Sequence, residues 1–130
     1  MAVEPDERQL AEIGAAAGSD ADSPLVMLNL NRYRDRDAYY RYAAVAAAVL
    51  ERVGGKVLWH ARARSTVIGD RSDVYDEVIA VWYPSAAAFI ALATDAEILA
   101  ARGDRASGLE RAALIRCEAA SEPSLTPATP

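Results

Sequence analysis

LVMLNLNRY, residues 25–33, is the stretch whose alternation decides the fold. In an extended chain Leu25, Met27, Asn29 and Asn31 share one side, and Val26, Leu28 and Leu30 share the other. A strand with one face in water is apolar on one side only. Here both sides are apolar, and two amides interrupt one of them. VYDEVIAVWY (74–83) has the same character, with Ile79 and Val81 alternating against Val78 and Ala80.

The neighbouring segments read as helices and turns. Asp35 is placed to cap a long helix in which Tyr39, Tyr42, Ala43, Ala46, Val49, Leu50 and Val53 fall at helical spacing, and Gly54-Gly55 stops it. The opposite face, with Tyr40, Ala44, Ala47 and Glu51, is small and weakly polar. KVLWHARARSTVIG (56–69) reads as a second strand, Asp70–Asp73 as a polar turn, and 74–83 as the third strand. Pro84 ends that strand and Ser85 caps AAAFIALA; Asp95 and Asp104 are expected to cap two separate short helical turns. ALIRCE (113–118) reads as the fourth strand. Before all of these, EPDERQLAEIGAAAG (4–18) carries Pro5 and acidic residues in its first turn and reads as an extra helix.

The order is β-α-β-β-α-β, which predicts an α+β ferredoxin-like fold with a four-stranded antiparallel sheet covered by helices on one side. Three regions are expected: an N-terminal helix and linker (1–23), the ferredoxin-like domain (24–118), and a Pro-, Ser- and Thr-rich tail (119–130) expected to be disordered. Because the strands are apolar on both sides, the second sheet face needs a cover. A contiguous apolar patch of several hundred Å² is unusual on a monomer. A homodimer, sheet against sheet, is the expectation.

Composition excludes several classes. Fourteen Lys and Arg against 19 Asp and Glu give a net charge of -5, which argues against nucleic acid. One cysteine, Cys117, and one histidine, His60, allow neither an intrachain disulfide nor a Cys/His zinc pattern. The start MAVEPDERQL has no apolar leader region, and no run approaches the roughly 18 apolar residues of a membrane span. No membrane association and a cytoplasmic location are expected, with no metal or organic cofactor.

Several side chains bear on chemistry. Asn29, if buried, must be hydrogen-bonded; it either ties down a neighbouring loop or donates to a ligand oxygen. Asn31 is expected at an exposed strand end. Tyr42, mid-helix, is the tyrosine expected to face a cavity, whereas Tyr39 is expected in the core. His60, sharing a strand face with Arg62, is the one side chain that titrates near neutrality and is the candidate base. Asp76 would cap a turn, pair with Arg105 (the favoured expectation), or act as a carboxylate base. Arg105 would otherwise bind an anionic group. Trp82 and Tyr83 lie on opposite strand faces, so at most one lines a given cavity. There is no nucleophile elbow and no phosphate-binding glycine loop.

MLNL (27–30), AYYRYAA (38–44), Gly54-Gly55 with KVLW, Tyr75-Asp76, YPSAAAF (83–89) and DRASGLE (104–110) come in an order that resembles the long-form members of the domain of unknown function 1330 family, within the dimeric α/β-barrel superfamily. The likeness runs from about Pro24 to Glu118. It departs from the family pattern at Tyr75-Asp76, where Trp-Asp is expected, and at Asp104-Arg105, where His-Arg is common. The resemblance implies a pocket in each subunit between sheet and helices, holding a small and often aromatic molecule.

Two functions of different kind follow. The first is a cofactor-independent enzyme of isomerase, cyclase or lyase type, acting by proton transfer on a hydrophobic, oxygenated, aromatic or polyketide-like molecule. His60 or Asp76 would move the proton, Asn29 and Tyr42 would hold the oxyanion, Arg105 would orient the substrate, and Trp82 would suit an aromatic ring. A cofactor-free monooxygenase is its variant. The second is a non-catalytic homodimeric module that binds a metabolite or simply assembles. An enzyme should show an enclosed pocket on which at least two of Asn29, Tyr42, His60, Asp76 and Arg105 converge, whereas a module should show these groups satisfied by each other and no cavity of roughly 300 Å³ or more.

Overall fold

Eight elements follow one another in a computed structural model that describes residues 3–19 and 23–118. They are α1 (Glu7–Ser19), β1 (Leu25–Tyr33), α2 (Arg36–Arg52), β2 (Lys56–Arg62), β3 (Glu77–Tyr83), α3 (Ala86–Ala93), α4 (Ala96–Gly108) and β4 (Leu109–Glu118). The strands form one antiparallel sheet in the order β2-β3-β1-β4, the ferredoxin-like arrangement expected from the sequence. The tail expected to be disordered, 119–130, lies outside the described residues, as does part of the linker at 20–22.

Register assigns the two sheet faces. Directly opposed residues of an antiparallel pair share a face, and Leu25, Met27, Asn29 and Asn31 of β1 oppose Tyr83, Val81, Ile79 and Glu77 of β3. This side receives the helices. Leu25, Met27, Val81 and Tyr83 bury there with Val49 and Leu50 of α2, Ala86 and Leu92 of α3, and Ile98 of α4. Val26, Leu28 and Leu30, with Val78, Ala80 and Trp82, form the outer face.

Local chemistry fixes the helix ends. The Asp35 carboxylate accepts the Ala38 amide hydrogen at 3.2 Å and starts α2, and Ser85 Oγ accepts from Ala88 N at 3.1 Å to start α3. After α2, Gly54 adopts φ +82°, where a side chain would be strained. At the other end of the layer, a Cβ on Gly108 would lie 2.6–2.8 Å from the backbone and Cβ of Tyr39. Glycine is what lets the end of α4 touch the start of α2, and the Gly108 carbonyl then accepts hydrogen bonds from Arg34 N and Asp35 N.

Four boundaries differ from the sequence reading, the first being β3, which begins at Glu77 and not at Val74. β2 ends at Arg62 and does not run on to Gly69. Residues 63–76 form a loop instead, closed by the Thr66 hydroxyl on the Asp73 carbonyl and by Asp70 N on Asp73 Oδ2 at 2.8 Å. The two expected turns after Asp95 are one helix, α4, which runs through Gly103. Asp104 caps nothing there; it pairs with Arg41 of α2 at 3.2 Å. β4 begins at Leu109, four residues earlier than ALIRCE. The alternation of Leu109–Ala113 is too weak to declare a strand, and pairing with β1 supplies what propensity does not.

Candidate functional site

β1 and β3 leave the core side by side, and at that end the helix-facing positions turn polar. Asn31 of β1 opposes Glu77 of β3, and Glu77 in turn opposes Arg62 of β2. His60, two residues before Arg62, therefore shares their face and opposes Ile79. The first turns of α2 cover this corner with Arg36, Tyr39 and Tyr40.

Glu77 is the centre of the arrangement and is only 7% exposed. Its Oε1 accepts the hydroxyl of Tyr33 and, at 2.7 Å, that of Tyr40. Its Oε2 lies 3.1 Å from His60 Nδ1. Burial is the largest influence on the carboxyl and favours the neutral acid. The hydrogen bonds from Tyr33, Tyr40 and His60 outweigh it and bring the pKa below the ordinary glutamate value. Glu77 is thus a buried carboxylate held ionised by three donors.

The donors are ordered by their own contacts. Tyr33 stacks at a tilt on Tyr39, ring centroids 5.1 Å apart, and lies 6.1 Å from Tyr40. The Arg36 guanidinium sits 5.3 Å above the Tyr33 ring. Burial raises the pKa of Tyr33, Tyr39 and Tyr40, with the Glu77 hydrogen bonds adding to it for Tyr33 and Tyr40, so all three remain phenols. Asn31 is 2% exposed, and its Nδ2 finds no hydrogen-bond partner among the described residues, although the amide lies beside the Tyr33 and Tyr39 hydroxyls. The expectation of an exposed strand-end Asn31 is corrected: α2 and the tyrosines cover it.

A recess of about 270 Å³ opens at this corner, lined by Arg36, Tyr40, His60, Ala61, Arg62, Asp76 and Glu77. His60 and Asp76 both line it, so two of the five groups singled out in the sequence meet, though at an open recess smaller than the enclosed cavity of roughly 300 Å³ expected of an enzyme. The His60 side chain is 65% exposed, so its ring faces the opening while Nδ1 is turned to Glu77. The Asp76 side chain accepts the Tyr33 backbone amide at 2.7 Å, which fixes the end of β1.

Four residues lie elsewhere. Asn29 donates to the carbonyls of Met27 and Ile79, both at 3.3 Å, and so ties β1 to β3. Tyr42 packs on the hydrophobic core behind Tyr39, ring centroids 5.7 Å apart. Arg105 does not pair with Asp76; it donates to the Val3 carbonyl at 2.6 Å and reaches Glu4 at 3.5 Å, binding the segment before α1. Trp82 is buried on the outer side of the sheet, away from the recess.

Glu77, Tyr33, Tyr40 and Arg36 escaped the sequence reading. The signal for Glu77 was a charge of inward parity in an otherwise apolar strand. Tyr33 shares the parity of Asn29 and Asn31. Tyr40 falls on the helix face read as outer, and only its long side chain brings the hydroxyl over the sheet edge. Among the described residues, no group of three or more His, Cys, Asp and Glu is arranged to hold a metal, and no helix is long and apolar enough to cross a membrane.

Sheet, helices and polar corner together define a ferredoxin-like α+β protein with a carboxylate–histidine recess at one end of its sheet. The chain belongs to the family described as domain of unknown function DUF1330, whose model matches residues 25–117. It is 31% identical to a protein of unknown function from Rhodopseudomonas palustris, over 96% of this chain and 98% of that one, with a TM-score of 0.80. More distant solved structures share the fold. A hydroxynitrile lyase from Passiflora edulis is 11% identical over 78% of this chain and 97% of that one, with a TM-score of 0.58. A dimeric ferredoxin-like protein of unknown function from Thermobifida fusca is 13% identical over 75% and 92%, with a TM-score of 0.50. No curated protein matches the chain significantly.

Proposed function

We propose that the protein is a cofactor-independent enzyme that moves a proton on a small oxygenated molecule, with His60 as the base and Glu77 as the group that orients it. The observation that carries this reading is the 3.1 Å contact between His60 Nδ1 and Glu77 Oε2 at the edge of the recess. A carboxylate on Nδ1 favours the tautomer with its hydrogen there and leaves the Nε2 lone pair free. It also stabilises the imidazolium that forms when Nε2 takes a proton.

The step has a simple balance. Nε2 removes a proton from carbon next to a carbonyl, and the bonding pair moves onto the carbonyl oxygen as an enolate. The guanidinium groups lining the recess stabilise that charge. The imidazolium then returns the proton to a different atom of the same molecule, which makes the reaction an isomerisation, or the enolate expels a group, which makes it a lyase step. Asp76, engaged by the Tyr33 amide, serves the wall of the recess. In the Passiflora enzyme the fold carries lyase chemistry, which is compatible with this reading and does not select it.

The working form is a homodimer joined through the outer sheet face. Trp59 and Ile115 are 45% and 47% exposed on that face, beside Leu28, Leu30, Val78 and Ala113. The reading as a pure assembly module rests on the same face.

Hydrogen exchange tests the chemistry without a known substrate. A panel of small aryl ketones and enol lactones is incubated with the protein in deuterium oxide, and loss of the proton NMR signal next to the carbonyl is followed. At least one compound should exchange faster than in buffer, and His60→Gln should slow that exchange by about 10²–10⁴-fold. No enhancement across the panel, or an undiminished rate in His60→Gln, would refute the proposal.

A further inference from the structure

We infer that the recess takes a small organic monocarboxylate, gripped by Arg36 and Arg62; this rests on the proton-transfer reading and names the substrate class for it. The recess is lined by two cations and two anions, and the two signs are not equivalent. Both carboxylates are already engaged, Asp76 by the Tyr33 amide and Glu77 by Tyr33, Tyr40 and His60. Neither guanidinium makes an ion pair among the described residues. Arg62 stands directly across the strand pair from Glu77 and still makes none with it. The lining therefore offers two guanidinium groups without ion pairs, donors that complement an acceptor ligand, while Asp76 keeps one oxygen beyond the Tyr33 amide.

Position supports the assignment. Arg36 rests over the Tyr33 ring, so part of its ordering is achieved before a ligand arrives. Arg34 and Arg36 lie where β1 passes into α2, and Arg62 leaves β2 at the same end, among Asp35, Asp37, Asp76 and Glu77.

Charge and shape narrow the class. A planar carboxylate matches the guanidinium fork. The volume of about 270 Å³ falls just below the span of about 300–1,000 Å³ typical of ligand pockets, which favours a molecule of one ring or a short chain. With His60 at the opening, the ligand in turnover is an acid that also bears an enolisable carbonyl.

Binding separates this inference from the chemistry, because the probe need not react. Benzoate, benzamide and inorganic phosphate are titrated into the isotope-labelled protein and followed by amide shifts. Benzoate should perturb Ala61 and Arg62, and benzamide and phosphate should bind at least tenfold more weakly. Arg62→Gln and Arg36→Gln should each weaken benzoate about tenfold, with Arg62→Lys intermediate and the far-UV circular dichroism unchanged. Benzamide binding as well as benzoate, phosphate binding better than benzoate, or benzoate affinity unaltered in both Gln variants would each overturn the carboxylate assignment. Benzoate binding of the expected kind, with no exchange in the ketone panel, would retain it and remove the proton-transfer reading alone.

Discussion

His60 Nδ1 lies 3.1 Å from Glu77 Oε2, so an exposed imidazole on the edge strand is oriented by a buried carboxylate on its neighbour. The pair spans the boundary between solvent and core. Glu77 is fixed by Tyr33 from its own sheet and by Tyr40 from the helix above, so the carboxylate joins three elements as well as orienting a ring.

That double role makes stability depend on acid. The folded pKa of Glu77 lies below its ordinary value, so its stabilisation is complete above the unfolded pKa of about 4.3 and is lost as pH falls through the lower folded value. Urea midpoints measured from pH 7 down to pH 3 should therefore fall. Glu77→Gln should begin about 1–3 kcal/mol less stable at pH 7 and flatten part of that slope. A slope identical to wild type would remove Glu77 from the acid response.

The tyrosines predict the opposite limb. The chain has six, and the pKa is raised for five: Tyr33, Tyr39, Tyr40, Tyr42 and Tyr83, with burial the first cause in each. A raised folded pKa contributes stability below the unfolded value of about 10, which is lost as pH rises beyond it. Phenolate absorbance should therefore stay small near pH 10 and then grow together with loss of circular dichroism. Five phenols ionising near pH 10 with the fold intact would contradict the buried cluster.

The fold was legible because its evidence is periodic. Leu25, Met27, Ile79 and Val81 declare strands by alternation, and Asp35, Ser85 and Asp95 declare helix starts by side-chain chemistry. The site was legible only through His60 and Asp76, which stand out by residue type. Glu77, Tyr33 and Tyr40 become a site through register, because nothing in the chain states that residue 77 will oppose residue 31. Asn29 and Asn31 show the same limit. Both have inward parity, yet one finds two carbonyls and the other finds none.

Gly108 supports the site from behind. Its missing Cβ admits the Tyr39 backbone, and Tyr39 in turn stacks on Tyr33. Gly108→Ala should cost about 1–3 kcal/mol by overpacking and should loosen the Tyr33–Glu77 contact. Thermal unfolding reads the first effect, and weaker benzoate binding in the folded variant reads the second. An alanine variant as stable as wild type would show that α4 shifts freely against α2.

The outer sheet face gives the last prediction. Ile115 opposes Leu28 across β4 and β1, and Trp59 opposes Ala80 across β2 and β3, so the two bracket a continuous apolar surface. A charge placed on this surface in a sheet-to-sheet dimer would be buried without a partner, which costs several kcal/mol for each copy. Ile115→Asp should therefore shift sedimentation from dimer to monomer at micromolar concentration while the secondary structure persists. Leu10→Asp, at a position of α1 that is 54% exposed on the helix side of the sheet, carries the same charge change and should leave the dimer intact. If wild type itself sediments as a monomer, the outer face is not the joint between two copies, and its cover must be sought in another partner.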